Sequence, residues 1–162
     1  MPLEHEDHLH LQAAQGFCEL GMFLDADAEL EKIDPDVRHL PEVLGVRVEI
    51  YRNLEKWELM QAVAKKLAVD WDGEPHWWVC WAFATRRAES VEAARRILQL
   101  AFTNHPNAPL IHYNLAGYEC QLGDLERAKQ YLKEAFDLDK DLRRVALEDD
   151  DFAPLWDSLQ TP

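Results

Sequence analysis

Three arginines are the side chains whose type and spacing best suit binding chemistry. Arg52 and Arg86 stand 34 residues apart, and Arg87 directly follows Arg86. A guanidinium binds a carboxylate through two parallel hydrogen bonds and also stacks on aromatic rings. The chain carries 17 Lys and Arg against 31 Asp and Glu, so these arginines interrupt a strongly acidic background. The pattern favours a carboxylate-bearing partner, and it leaves open that the arginines only pair with Glu49, Glu55 or Glu89.

Other clusters of reactive side chains match no known chemistry well. The histidines at the start of the chain are spaced too closely for a pair of helical metal ligands. The acidic run Glu148–Asp151 lacks the alternating spacing and the glycine of a calcium loop. The sequence contains no phosphate-binding glycine loop, no GxSxG and no HExxH. We therefore predict no catalytic residue, no metal site and no cofactor, and we expect that the protein is not an enzyme.

Composition limits the class of protein and of partner. A chain of 162 residues with 48% hydrophobic residues can bury one domain-sized core. The net charge of −14 would repel nucleic acid phosphates and an anionic membrane surface. The polar start MPLEHEDHLH is not typical of a signal peptide. Three widely spaced cysteines without a CxxC favour reduced, buried thiols in a cytoplasmic protein, with zinc binding or catalysis as the alternative.

The chain contains an internal repeat with a period of 34 residues. The stretch LGDLERAKQYLKEA, residues 122–135, aligns without gaps with the segments that begin at residues 88, 54 and 20. Within each repeat, apolar residues recur at steps of three, four and seven, which is the period of an amphipathic helix. The spacing predicts two helices per repeat, at positions 2–14 and 18–30, joined by a short turn near position 15. Gly21 and Gly123 stand at that turn, where a positive φ is often needed.

Equivalent positions of the repeats carry residues suited to helix packing. Position 8 is small or β-branched, position 20 is mostly Ala, and position 3 is apolar in every repeat, as Leu9, Val43, Trp77 and Ile111. A single pair of such helices cannot bury its apolar face alone, whereas stacking on the next pair buries it. The pattern therefore predicts a row of stacked helix pairs.

These repeats resemble the tetratricopeptide repeat (TPR) family. The last repeat is the best match, and the second is the most divergent, with Arg47, Val48 and Met60 where Leu, Gly and Ala are usual. The resemblance implies an all-α fold, a right-handed α-solenoid of four helix-turn-helix TPR units with a C-terminal capping helix. We expect residues 1–142 to hold four tandem units (7–40, 41–74, 75–108 and 109–142), followed by a capping helix and tail in residues 143–162.

The tail departs from the repeat register and allows two interpretations. Its apolar residues favour a capping helix, because a repeat array needs an element that covers the exposed side of its last pair. Alternatively, the acidic and aromatic stretch EDDDFAPLW docks into a groove, either its own or that of a neighbouring molecule.

The resemblance also implies that the first helices line a concave surface that binds a protein or peptide. The residues of this sequence at the corresponding positions that we predict to bind a partner are Val46, Arg52, Val79, Phe83, Arg86, Arg87, Tyr113 and Asn114. The carboxylate clamp of one TPR subfamily is not expected, because His76, Cys80 and Leu11 occupy three of its key positions. A partner segment with acidic and apolar residues would suit the arginines and rings.

We expect a cytoplasmic, non-catalytic adaptor or scaffold that binds an extended or helical segment of another protein, and neither nucleic acid nor membrane. The alternative is a TPR-type secretion chaperone that holds an unfolded substrate segment. A third class, an enzyme or small-ligand receptor, would need a convergent polar pocket that the sequence does not indicate. The oligomeric state and the biological process stay open at this point.

Overall fold

The computed structural model describes residues 1–160, and every regular element in that range is a helix. Thr161 and Pro162, the end of the predicted tail, lie outside the described residues. The helices follow one another in pairs, and a shorter helical tail comes after them. The pairs are α1 (His5–Glu19) with α2 (Phe23–Leu30), α3 (Pro41–Asn53) with α4 (Trp57–Asp70), α5 (Pro75–Ala88) with α6 (Val91–Asn104), and α7 (Pro109–Gln121) with α8 (Leu125–Leu138).

The spacing of the helices follows the repeat. Pro41, Pro75 and Pro109 each occupy the first turn of a helix, where the missing N–H costs no hydrogen bond and the fixed φ favours helix. Along the row from α1 to α8, consecutive helices pack against one another. The all-α prediction is confirmed, and the consecutive packed pairs form a TPR-like solenoid.

The buried residues of the second helices explain the regular stacking. At repeat position 20 every residue is fully buried, and Ala fills this position in three of the four pairs. The residues at positions 24 and 27 are at most 1% exposed; they are Leu30, Ala64, Leu98 and Leu132, then Ile33, Leu67, Ala101 and Ala135. Apolar clusters formed in this way run from one pair to the next and make one continuous core along the row.

Leu9 departs from the pattern, because 52% of its surface is exposed although position 3 is buried or half-buried in the later pairs. The reason lies in the order of packing. Ile111, at the same position, packs in a cluster with Ala94, Leu98 and Ala101 of the preceding second helix. In the described chain α1 has no preceding helix pair, so nothing covers Leu9.

Arg47 explains the divergence of the second repeat. Its side chain is only 10% exposed, and it forms ion pairs with two carboxylates of the preceding pair, Asp27 at 3.2 Å and Glu31 at 2.5 Å. The hydrogen bond from Arg47 lowers the pKa of Glu31. A buried guanidinium needs such partners because an unpaired buried charge is strongly destabilising. Arg47 is therefore a structural residue that joins α3 to the end of α2.

The turns between paired helices use glycine where the backbone requires it. Gly21 and Gly123 have φ of 72° and 89°, as predicted, and Glu55 at the equivalent position of the second repeat has a φ of 56°. In the last pair Asp124 caps α8 by accepting a hydrogen bond from the N–H of Arg127. Among the described residues, no helix is long and apolar enough to cross a bilayer.

We expect Gly123→Ala to lower the free energy of unfolding by about 1–2 kcal/mol, because an alanine is strained at positive φ. An added methyl group at Gly123 meets no atom within 4 Å, so backbone strain is the only cost. Gly16 provides the control, since it lies within α1 and its added methyl also meets nothing within 4 Å. Gly16→Ala should raise stability by up to about 1 kcal/mol. Urea denaturation of both variants checks the opposite signs.

Candidate binding surface

Two arginines stack on an aromatic pair where three consecutive helices meet. The Arg52 guanidinium of α3 lies 4.6 Å from the centre of the Phe83 ring of α5. The Arg87 guanidinium lies 4.6 Å from the Trp57 ring of α4, and Trp57 meets Phe83 edge to face at 5.7 Å. The structure thus brings three predicted site residues together and adds Trp57, which we did not predict. We call Arg52, Trp57, Phe83 and Arg87 the arginine–aromatic stack.

The hydrogen-bond donors of Arg52 and Arg87 are not taken by carboxylates. Both side chains are exposed, and within residues 1–160 neither forms an ion pair with Glu49, Glu55, Glu89 or any other acidic residue. Arg38, Arg47 and Arg86, by contrast, all pair with carboxylates. Stacking holds the two guanidinium planes in place while their N–H groups stay accessible, and such groups suit an external carboxylate.

A cleft of about 440 Å³ lies beside this stack, between α3 and α5. Polar side chains line its rim, and Cys80 lies in its wall; the lining residues are Gly45, Val48, Glu49, Arg52, Asn53, His76, Trp77 and Cys80. The Cys80 sulfur lies 3.5 Å from Nε2 of His76. Burial raises the pKa of the Cys80 thiol to about 11, so the thiol is neutral at physiological pH and is no activated nucleophile. We call this space the open cleft.

Arg86 binds the tail of the same chain. Its Nη2 donates to Oδ1 of Asp151 at 2.8 Å, and its Nη1 donates to Oδ2 of the same carboxylate. The hydrogen bonds to Asp151 raise the pKa of the Arg86 guanidinium. The ring of Tyr118 lies 5.8 Å below the guanidinium carbon. This is the bidentate geometry in which arginine recognises a carboxylate most specifically.

Tyr113 binds the same tail segment through its hydroxyl and its ring. The hydroxyl donates to Oδ2 of Asp149 at 2.8 Å, and the ring meets the Phe152 ring edge to face at 5.1 Å. Burial, followed by the hydrogen bond to Asp149, raises the pKa of Tyr113. Gln121 Nε2 donates to the backbone carbonyl of Asp151 at 3.2 Å. We call Arg86, Tyr113, Gly117 and Gln121 the tail site, and residues 149–152 the acidic segment.

Gly117 lies in the part of α7 that the acidic segment crosses, and an alanine there would make only ordinary van der Waals contact with the segment. An added Cβ at this position would lie 3.6 Å from the Phe152 ring and 3.7 Å from the Asp151 carboxylate. A longer side chain would therefore occupy the space in which these two residues lie. Phe152 itself is fully buried, within the cluster formed by α7, α8 and the tail.

The tail combines the two interpretations that the sequence left open. Its short helix α9 (Leu142–Ala146) buries Leu142 and Ala146 in the cluster around α8, as a cap does. A 3₁₀ segment (Asp150–Leu155) then crosses α7, followed by α10 (Trp156–Gln160). Trp156 Nε1 donates to the carbonyl of Ala146 at 3.0 Å and ties α10 to α9. The part between these two anchors carries the acidic segment.

The remaining predicted partner residues lie apart from these groups. Val46 is only 6% exposed and packs among core residues of α1, because α1 closes over this part of α3, so Val46 does not line the accessible surface. Val79 is half-buried against the cluster of α5 and α6. The Asn114 side chain donates to the Leu110 carbonyl of its own helix at 2.8 Å.

The early histidines make separate contacts. His10 Nδ1 lies 2.7 Å from the Glu29 carboxylate, and Asp7 accepts a hydrogen bond from the N–H of Asp34. Among the described residues, no three His, Cys, Asp or Glu side chains come together as a metal site would need. The three cysteines are free and buried.

Comparison with known proteins supports the fold and goes no further. No family model matches the sequence, and no curated protein matches it. Among solved structures, MamA MSR-1 C2 superposes with a TM-score of 0.69 and 20% identity, over 84% of this chain and 78% of that one. The similarity shows a TPR-like helical repeat fold.

The pairing of Arg86 with Asp151 should contribute measurably to stability. We expect a double-mutant cycle of Arg86→Ala and Asp151→Ala to give a coupling free energy of about 1–2 kcal/mol, because the pair is bidentate and about three-quarters buried. The exposed pair Lys66–Asp70 is the control, and its coupling should not exceed about 0.5 kcal/mol. Equal couplings in denaturant titrations would contradict the docking of the tail.

The Cys80 thiol should react slowly in the folded protein. Its pKa of about 11, against 9.0 for an ordinary thiol, lowers the thiolate fraction at pH 8 roughly a hundredfold. The folded state disfavours the thiolate, so keeping Cys80 protonated contributes to the free energy of unfolding. This contribution is fully present below pH 9.0 and is lost as the pH rises towards 11. Iodoacetamide labelling with peptide mass mapping, in native and in denaturing buffer, checks this expectation; native labelling as fast as denatured labelling would contradict it.

Proposed function

We propose that the protein is a non-catalytic adaptor that binds an extended or helical segment of a partner on the concave side formed by its first helices. The TPR-like fold favours protein interaction in general. The observation that carries the proposal is the docked acidic segment of the chain itself, whose carboxylates and aromatic ring contact side chains of α5 and α7.

The arginine–aromatic stack is the part of this surface that we assign to a partner. Arg52 and Arg87 are exposed and have no carboxylate partner in the described chain, while Phe83 and Trp57 offer apolar contact beside them. Arg52 also lines the open cleft, so a segment bound there would contact both. Aromatic and arginine side chains together are the composition of binding hot spots. A partner with carboxylates and apolar residues fits this surface.

The acidity of the chain adds a condition on the partner. With a net charge of −14, most of the protein repels acidic molecules, and only the local arginines attract them. A bound acidic segment must therefore be short or flanked by neutral or basic residues. Binding should weaken as the salt concentration rises, because the contacts at this exposed surface are screened. We place this activity in the cytoplasm, in keeping with the free thiols.

Site-specific photocrosslinking in native cells tests the proposal. We expect a photoreactive amino acid at position 52 to crosslink a partner, whereas the same residue at Leu100, exposed on α6, should not. The charge-reversal variant with both Arg52→Glu and Arg87→Glu should bind the partner more weakly by at least about 2 kcal/mol, roughly thirtyfold in Kd. Arg96→Glu on α6, with a matched charge change at an exposed site, should leave binding unchanged.

The identity of the crosslinked segment separates the two classes of function. A folded partner bound through one segment supports the adaptor. An exported protein that binds only while unfolded supports the secretion chaperone instead. Equal crosslinking from positions 52 and 100, or full binding by the Arg52→Glu and Arg87→Glu variant, would overturn the assignment of the concave side.

A further inference from the structure

The tail site already holds a ligand whose chemistry is visible. Resting on the proposed function, we propose that this site is a receptor for a partner segment with two carboxylates two residues apart, the second followed directly by an aromatic residue. The chain's own acidic segment, Asp-Asp-Asp-Phe at residues 149–152, occupies the site until such a segment displaces it.

Each feature of this motif is read by a different group. Arg86 donates two hydrogen bonds to the second carboxylate, Asp151, and the Tyr113 hydroxyl donates one to the first, Asp149. The aromatic residue, Phe152, lies against the Tyr113 ring where Gly117 leaves space. The middle residue, Asp150, is exposed. A segment shifted by one residue would lose the match of carboxylates and ring together, so the site can discriminate by spacing as well as by charge.

The architecture of the tail allows the acidic segment to exchange. The ion pair is accessible to solvent, because the Arg86 and Asp151 side chains are 24% and 28% exposed. An incoming segment of the same motif would restore the contacts that the tail gives up. Exchange is opposed by the burial of Phe152, which must leave its cluster, and by the high effective concentration of a covalently attached segment. The α9 residues Leu142 and Ala146 lie in the same buried cluster as Phe152, so displacement of the acidic segment also uncovers part of this cluster.

Charge favours a competitor over the tail. The tail carries four adjacent carboxylates, Glu148–Asp151, in a chain of net charge −14, and two arginines lie near them: Arg86, which pairs with Asp151, and Arg144, which lines the same depression. A partner segment that keeps the two recognised carboxylates but has neutral neighbours would meet less repulsion.

Two cysteines at the same repeat position report whether the tail is docked. Cys120 lies in the buried cluster with Phe152, and burial together with the nearby Asp151 raises the pKa of its thiol. Cys18, at the equivalent position of the first repeat, is equally buried but packs in the cluster of α1 and α3. Release of the acidic segment should therefore expose Cys120 to alkylation and leave Cys18 protected.

The experiment uses the full chain and a fluorescein-labelled peptide, LEDDDFAPLW, which has the sequence of residues 147–156. The double variant Asp149→Asn with Asp151→Asn weakens the binding of the attached tail to the tail site, because it removes two charges while the side chains keep nearly the same shape. We expect this variant to bind the peptide at least about tenfold more tightly than the wild type, since the attached competitor is weakened. Cys120 should be alkylated faster in the variant, at least about threefold relative to Cys18, and saturating peptide should restore its protection. If the double variant does not fold, the single variant Asp151→Asn should still bind the peptide more tightly than the wild type and show faster alkylation of Cys120.

Further variants separate specific from general attraction. Arg86→Gln, added to the double variant, should weaken the peptide at least about tenfold, whereas adding Arg96→Gln should change little. A peptide in which the aromatic residue is moved by one position should also bind at least about tenfold more weakly. The result that would overturn the proposal is equal peptide affinity of the wild type and the double variant, with equal labelling of Cys120.

Two outcomes distinguish this proposal from the function on which it rests. Partner crosslinking at position 52 that survives Arg86→Gln, together with no binding of the peptide, would overturn the tail-site proposal and leave the adaptor standing. A wild-type dimer in light scattering that becomes a monomer in the double variant would show that the second copy's tail is the occupant, and would overturn the assignment to a partner protein. A monomer in both cases, with competition by the peptide, supports it.

Discussion

The structure depends on the burial of one apolar face by the next helix pair. Alanine at repeat position 20, as in Ala26, Ala94 and Ala128, lets the paired helices approach closely, and the leucines one turn further fill the space between pairs. The first helices also contribute to the core on other sides, and Phe83 packs against the cluster that α4 and α5 share. Arg52 is exposed, so its guanidinium can contact the Phe83 ring without entering the core.

The tail shows how a strongly acidic chain can still use acidic recognition. It covers the end of the row with α9 and at the same time lays Asp149, Asp151 and Phe152 across α7. These contacts hold the tail on α7 within the described chain. The arginine–aromatic stack, beside it, keeps its guanidinium groups unpaired in the described chain and has no such internal ligand. Both the tail site and the arginine–aromatic stack combine arginine with aromatic rings, but in the described chain only the tail site is occupied by a segment of the chain.

Much of the fold could be predicted because it is periodic. The repeat register predicted the helix pairs, the turn glycines at Gly21 and Gly123 and the core positions of the second helices. Leu9 and Val46 departed from expectation because of their place in the row: among residues 1–160 no helix pair packs on the outer side of α1, and α1 covers Val46 of α3. A periodic pattern describes a repeat that has neighbours on both sides. It does not predict which residues of the first repeat are exposed.

The candidate site was only partly predictable for a related reason. Arg52, Phe83 and Arg87 could be placed because each follows the register, whereas Trp57 lies on a second helix and its contact with Arg87 joins two different repeats. The tail has no register, so its sequence indicated an acidic and aromatic peptide but not that it would dock on Tyr113. Charge complementarity between Arg86 and the run of aspartates was the one signal in the sequence that pointed to the observed contact.

The central claim is that the first-helix side of this row binds an acidic, aromatic segment, with the chain's own tail as the visible example. The most direct measurement is a nuclear Overhauser experiment in solution on the intact protein. The account predicts cross-peaks between the ring protons of Phe152 and Tyr113, whose ring centres lie 5.1 Å apart. Absence of these cross-peaks, together with random-coil chemical shifts for residues 149–152, would contradict it.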